Sequence, residues 1–138
     1  MRIFTAGFLG FLIGMLNKSV YDSPFARLFS IICMACCLLT VTSMEFFKLL
    51  ELPWVSDPGR ISAQVVSALG FLGTGLIWIS RDNKVRGLSV GAGMWFTAIL
   101  GILVGTGLNQ IAIIGFTFLI IIYYLSNRVA DWKHRIEK

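Results

Sequence analysis

Asp57, Arg60, Gln64 and Ser67 are spaced by three, four and three residues, so a helix through them projects all four from one face. A row of this kind supports two sorts of chemistry. Gln64 and Ser67 can clamp a partner helix, because an unsatisfied amide in an apolar setting is costly. Arg60 can pair with Asp57 at the interface, and the functional alternative for the row is an ion or partner contact. Other chemistry-bearing residues are sparse. Cys33, Cys36 and Cys37 include a Cys-x-x-Cys spacing, but no His or further Cys stands near them, so close packing is the favoured reading over a redox or metal role. His134 lies between Lys133 and Arg135 and reads as a solvated residue. Gly70-Phe71-Leu72-Gly73-Thr74-Gly75 has a phosphate-loop look, yet Leu76-Ile77-Trp78 follows where a Lys would be needed, so it is no nucleotide site. No Ser, His and Asp set and no paired buried carboxylates can be assembled. The expectation is a protein that is not an enzyme and needs no cofactor.

The elements that carry these residues follow from hydropathy. The chain has 138 residues, 57% of them apolar and 14% charged, with eleven Phe, four Trp and a mean hydropathy of +0.81. That excludes both a disordered chain and an ordinary soluble enzyme. Five stretches carry no charged residue: 3–17, 28–44, 61–80, 87–108 and 110–127. Each is long enough, or nearly so, to cross a hydrocarbon layer about 30 Å thick, which takes roughly 20 helical residues. The first could be a signal peptide with Arg2 as its basic start, but Asn17 to Asp22 offers no small-x-small cleavage site, which favours an uncleaved span. The runs lack the alternation of barrel strands. The fold class expected is all-α, a polytopic bundle of about five membrane helices over residues 1–127, followed by a short charged tail, 128–138, with no soluble domain after it.

Basic residues set the orientation, because Lys and Arg are retained on the cytoplasmic side. Lys18, Arg27, Arg81, Lys84, Arg86, Arg128, Lys133, Arg135 and Lys138 fall on one side; Arg2, Lys48 and Arg60 fall on the other. The amino terminus is therefore expected outside and the carboxyl terminus inside. Tyr123, Tyr124 and Trp132 suit the inner interface and Trp54 the outer one. The connection Met44 to Arg60 mixes Phe46, Phe47, Leu49, Leu50 and Leu52 with Glu45, Lys48 and Glu51, which predicts a short amphipathic turn on the membrane surface ended by Pro53. Glu45, Glu51 and Asp57 are its carboxylates. They make thin support for a Mg²⁺ site, since that ion prefers octahedral oxygen ligands, and no metal site is assigned. The formal charge of +5 comes in clusters between apolar runs and reads as topology, not nucleic-acid binding.

Ten of the fourteen glycines fall between Gly70 and Gly115. In lipid, small residues let helix backbones approach closely. Gly87, Gly91, Ala98, Gly101 and Gly105 recur along span four, and Gly7, Gly10 and Gly14 along span one, which predicts helix packing within or between subunits; a pore or hinge of flexible helices is the sharper alternative. No Asp, Glu, Lys, Arg or His lies near the middle of any span, which weakens an ion-coupled carrier. Arg86 either snorkels as an anchor or meets a partner.

Two blocks carry a family resemblance. Asp57-Pro58-Gly59-Arg60-Ile61-Ser62-Ala63-Gln64-Val65-Val66-Ser67 continuing through Gly70, Gly73 and Gly75 resembles the signature of the MgtC/SapB family of small bacterial membrane proteins. Val85-Arg86-Gly87-Leu88-Ser89, followed by Ala92, Trp95, Thr97, Ala98, Gly101 and Gly105, is similar to that family's second block. The chain departs from the family pattern at Gly14-Met15-Leu16-Asn17-Lys18, where a Gly-Leu-Glu-Arg-Glu run is common, and at Phe25-Ala26-Arg27-Leu28. The resemblance implies a bacterial inner-membrane protein linked to low magnesium and to virulence. It also implies a regulator or accessory that meets another membrane complex such as ATP synthase or a magnesium transporter. Beside that stand the lipid bilayer and a homo-oligomer as expected partners, and an oligomeric cation (Mg²⁺ or H⁺) transporter or channel as the rival function.

Overall fold

The computed structural model describes residues 1–17, 25–49, 57 and 59–136, with the side chains of 127, 130, 131 and 133–136 excepted. Among the described residues are five helices and one hairpin: α1 (Arg2–Leu16), α2 (Phe25–Leu49), α3 (Gly59–Gly75), β1 (Trp78–Ile79), β2 (Val85–Arg86), α4 (Leu88–Thr106) and α5 (Asn109–Ile136). The chain is thus all-α but for two short strands. Among the described residues, three stretches are long and apolar enough to cross a membrane: Phe25–Leu49, Leu88–Thr106 and Asn109–Ser126. The other two helices have 15 and 17 residues, or about 22 and 25 Å at the α-helical rise, short of a full hydrocarbon layer.

Several boundaries differ from the hydropathy reading. The third uncharged run does not remain helical to Ser80. It leaves the helix after Gly75, and Trp78–Ile79 pairs antiparallel with Val85–Arg86. The turn is closed by the Asn83 N–H on the Ser80 carbonyl at 2.9 Å, with Asn83 at φ 55, a left-handed conformation that Asn tolerates. Residues 44–49 continue α2 instead of starting a separate surface turn. Glu51, Pro53 and Trp54 lie outside the described residues, as does Lys18. The charged segment after residue 127 prolongs α5 to Ile136, because neither Gly nor Pro interrupts it.

Helix α4 is the hub, touching α1, α2, α3 and α5, while α2 also packs on α1. Its contacts fix the directions of the rest. Gly14 meets Ala26, Gly93 meets Phe29, Gly105 meets Thr40 and Gly73 meets Gly91. So α2 runs with α4, and α1 and α3 run against them. One end of the bundle therefore gathers Asn17, Arg27, the hairpin and the start of α4; the other gathers Arg2, the start of α3 and Gly105. The core is formed by Ala6, Ile13, Phe29, Cys33, Cys37, Met94, Ala98, Leu100 and Val104. Outward faces are apolar too. Phe4, Phe8, Phe71, Ile113, Phe118 and Ile122 are exposed, an arrangement suited to lipid and not to water.

Candidate functional site: the face of α3 and the glycine contacts behind it

Asp57, Arg60, Gln64 and Ser67 are all exposed at the first turns of α3. Asp57 does not pair with Arg60 among the described residues. Its Oδ1 accepts the Gly59 N–H at 2.8 Å, and the Arg60 N–H bonds the Asp57 carbonyl at 3.2 Å, so the carboxylate opens the helix as an Asx turn. The Ser67 hydroxyl donates back to the Ala63 carbonyl at 3.2 Å. The face continues through small residues. A Cβ at Gly70 or at Gly75 would meet nothing within 4 Å, whereas Gly73 points to α4 and lies against Gly91. One side of α3 is thus packed, and the side bearing Arg60, Gln64, Ser67 and Gly70 is open.

Behind it the glycines seat helix on helix. Cβ atoms at Gly7, Gly10 and Gly14 would strike Met34, Phe29 and Ala26 of α2, at 2.8 Å from the Met34 sulfur and 2.6 Å from the Phe29 carbonyl oxygen. At Gly10 and Gly14 the neighbour is backbone and leaves room for a hydrogen atom only, whereas the Met34 side chain at Gly7 can shift; the helices lie near enough for the Ser30 hydroxyl to donate to the Gly7 carbonyl at 2.9 Å. The fourth helix divides its small residues between two neighbours. Gly91 faces α3, while Gly101 lies on Cys33 and Cys36, and Gly105 on Cys37 and Thr40. Gly93, which sequence reasoning left out of the packing set, lies against Asn17 and Phe29; its four-residue step to Thr97 and on to Gly101 was the signal. Thr97 is buried and returns its hydroxyl to the Gly93 carbonyl at 2.8 Å; Ala98 is buried beside it. Trp95 looks outward with 45% of its surface exposed.

The second motif block begins at the hairpin. Gly87 caps α4 at φ 87, and a Cβ there would collide with the Leu76 carbonyl oxygen, so the position accepts only glycine. Arg86 is half-buried, and its Nε finds no hydrogen-bond partner among the described residues. The same holds for Nδ2 of Asn17, which closes α1.

The cysteine stripe lies inside the sandwich of α1, α2 and α4, and its three thiols are free. Among the described residues no group of three or more His, Cys, Asp and Glu side chains is arranged to hold a metal ion. Glu45 is occupied by Lys48 at 2.7 Å on the surface, Asp57 by the Asx turn, and Glu51 lies outside the described residues. The side chain of His134 does as well. Sequence reasoning also missed an apolar cleft of about 340 Å³ between α1, α4 and α5, lined by Thr5, Phe8, Leu9, Val104, Asn109, Ala112 and Ile113.

Relatives match over all or part of this architecture. An uncharacterized protein of Haemophilus influenzae is 31% identical over 137 residues, 97% of this chain and 58% of its own length. YhiD of Escherichia coli K12, provisionally named a magnesium transporter, is 38% identical over 78 residues, 56% of this chain and 36% of its own. Protein MgtC of Brucella abortus is 45% identical over 65 residues, 47% of this chain and 27% of its own. The chain thus spans less than two thirds of each of these curated relatives. No solved structure matches significantly. The MgtC family matches residues 3–132, from the first helix through the second motif block and into the far half of α5, and the chain belongs to that family.

Proposed function

We propose that this MgtC-family membrane protein is non-enzymatic and serves as a regulator or accessory of another complex in the bacterial inner membrane, in the setting of magnesium limitation or virulence. The observation that carries the reading is the open face of α3. Arg60, Gln64 and Ser67 stand exposed beside Gly70, whose missing side chain leaves the helix approachable, while the other side of α3 is seated on α4. An amide and a hydroxyl turned towards lipid are stabilised when a second helix covers them. A copy of the same chain or a larger complex, such as ATP synthase or a magnesium transporter, would serve. The proposed topology has all five helices in the membrane, the two short ones by local thinning or tilting of their neighbours. The end bearing Arg27, Arg81, Lys84, Arg86 and Arg128 faces the cytoplasm, as basic residues prefer. A photoreactive residue at position 67, activated in native membranes, is expected to trap one defined second protein. Recovery of self-adducts alone would overturn the regulator.

A second reading has one observation in its favour, the provisional transporter name of YhiD. In that reading an oligomer surrounds a cation path along the same α3 row, and backbone carbonyls supply ligands. Liposomes carrying the purified chain separate the two. Saturable Mg²⁺ or H⁺ flux that vanishes in an Arg60→Ala, Gln64→Ala variant identifies a transporter. A folded protein without flux leaves the regulator.

A further inference from the structure

Two hydrogen-bond donors at one end of the bundle are buried without acceptors among the described residues. Asn17 is 7% exposed, and its Nδ2 is pressed against Gly93 on the second turn of α4, at 2.7 Å from where a Cβ would sit. Arg86, immediately before the cap of the same helix, has its Nε buried and without a partner among the described residues. Burying a donor without an acceptor is costly, and a guanidinium more so, unless an anion meets it. Asp82, in the turn of the hairpin, is exposed, and the ion pair found among the described residues is Lys48–Glu45 at the far end of the bundle.

More donors lie near Asn17 at this end of the bundle. The Tyr123 hydroxyl of α5 interacts with the side chains of Ser89 and Asn17, without closing a hydrogen bond onto Asn17 Nδ2. Ser89 lies in the first turn of α4. That turn has no side-chain cap, and its first internal bond is from the Gly91 N–H to Gly87, so among the described residues the N–H groups of Leu88, Ser89 and Val90 are left open at the positive end of the helix. Gly87 puts no side chain in the way.

We propose that this end of the bundle binds a phosphate group, with Asn17, Arg86, Ser89, Tyr123 and the first N–H groups of α4 donating to its oxygens. Donors supplied by four segments call for several acceptor oxygens on one small anion, which a tetrahedral phosphate provides. The depth agrees. Asn17 ends α1, and Tyr123 stands three residues before Ser126, where the apolar stretch of α5 closes, which is headgroup level. The phosphate belongs either to an anionic lipid or to a free ion.

The test uses the full chain in a maltoside detergent, which carries no phosphate, with thermal unfolding as the readout. One arm titrates inorganic phosphate against sodium chloride at equal ionic strength; the other titrates phosphatidylglycerol. A saturable rise of the midpoint in one arm, exceeding the chloride control, names the source. Ser89→Ala and Tyr123→Phe are each expected to shift the half-saturating concentration about tenfold upward, the loss of one charge-assisted hydrogen bond. Arg86→Gln is expected to abolish the response. Asn17→Leu removes the stranded donor, so it should unfold no earlier than wild type without ligand and should gain less from ligand. No response in either arm, or a response unchanged in all four variants, overturns the proposal.

Discussion

The Arg2 guanidinium donates a 3.0 Å hydrogen bond from Nη1 to the carbonyl of Gly105, tying the first turn of α1 to the last turn of α4 across 103 residues. That carbonyl is one of the four that a helix end leaves without an intrahelical donor, and it carries the negative end of the helix dipole. Arg2→Gln is therefore expected to lower stability by about 1–2 kcal/mol, read as an earlier unfolding transition in detergent. An unchanged transition would show that water replaces the guanidinium at no cost.

How much of this was legible in the sequence depends on what the signal measures. The bounds of α1 and α4 lie within two residues of the uncharged runs, because charge or glycine stops both pattern and helix at the same places. Hydropathy could not end α3 at Gly75. Trp78 and Ile79 are as apolar in a strand as in a helix, and only Arg81-Asp82-Asn83 hinted at a turn. The three- and four-residue spacing put Asp57, Arg60, Gln64 and Ser67 on one face, but that Asp57 would turn to Gly59 and not to Arg60 depends on the local backbone. Arg2 and Asn17 were beyond reach for another reason: their neighbours, Gly105 and Gly93, are distant in sequence and are set by how the helices pack.

Gly101 and Gly70 offer a direct comparison of packed and open glycines. A Cβ at Gly101 would strike the Cys33 carbonyl oxygen, which is backbone and cannot yield, so Gly101→Ala is expected to destabilise by about 1–3 kcal/mol. Gly70→Ala meets open space and is expected to leave folding intact or to improve it by about 1 kcal/mol through helix propensity. Unfolding of the two variants side by side checks this. If Gly70→Ala folds normally but loses the crosslink at position 67, the open face is a docking face.

Two glycines with positive φ should respond unequally. Gly107, at φ 92, ends α4 in a Schellman arrangement, with its N–H on Val104 at 3.1 Å and the Leu108 N–H on Leu103 at 2.9 Å. An alanine there bears the left-handed penalty of about 1–2 kcal/mol, and its nearest neighbour is the movable guanidinium of Arg2 at 3.2 Å. Gly87→Ala adds a collision with the Leu76 backbone to the same penalty, so a loss of at least about 3 kcal/mol is expected. Equal transitions in the two variants would mean that the hairpin moves freely away from α4.

The cysteines provide a probe of the central sandwich. Cys33 and Cys37 are 0% exposed and Cys36 is 4% exposed, enclosed between Gly10 of α1 and Gly101 and Gly105 of α4. A small membrane-permeant maleimide needs the sulfur at a surface, so the folded chain should resist labelling under conditions that modify all three thiols after unfolding in dodecyl sulfate. Gly10→Val sharpens the test. Its side chain would wedge against the Cys33 Cβ, 2.8 Å from the added Cβ, and against the Phe29 carbonyl oxygen, prising α1 from α2. Labelling should then begin at Cys33, located by mass spectrometry of the digested protein, while Cys36, which faces Gly101 of α4, stays protected. Simultaneous labelling of all three in the native wild type would show that the glycine contacts do not hold these helices together.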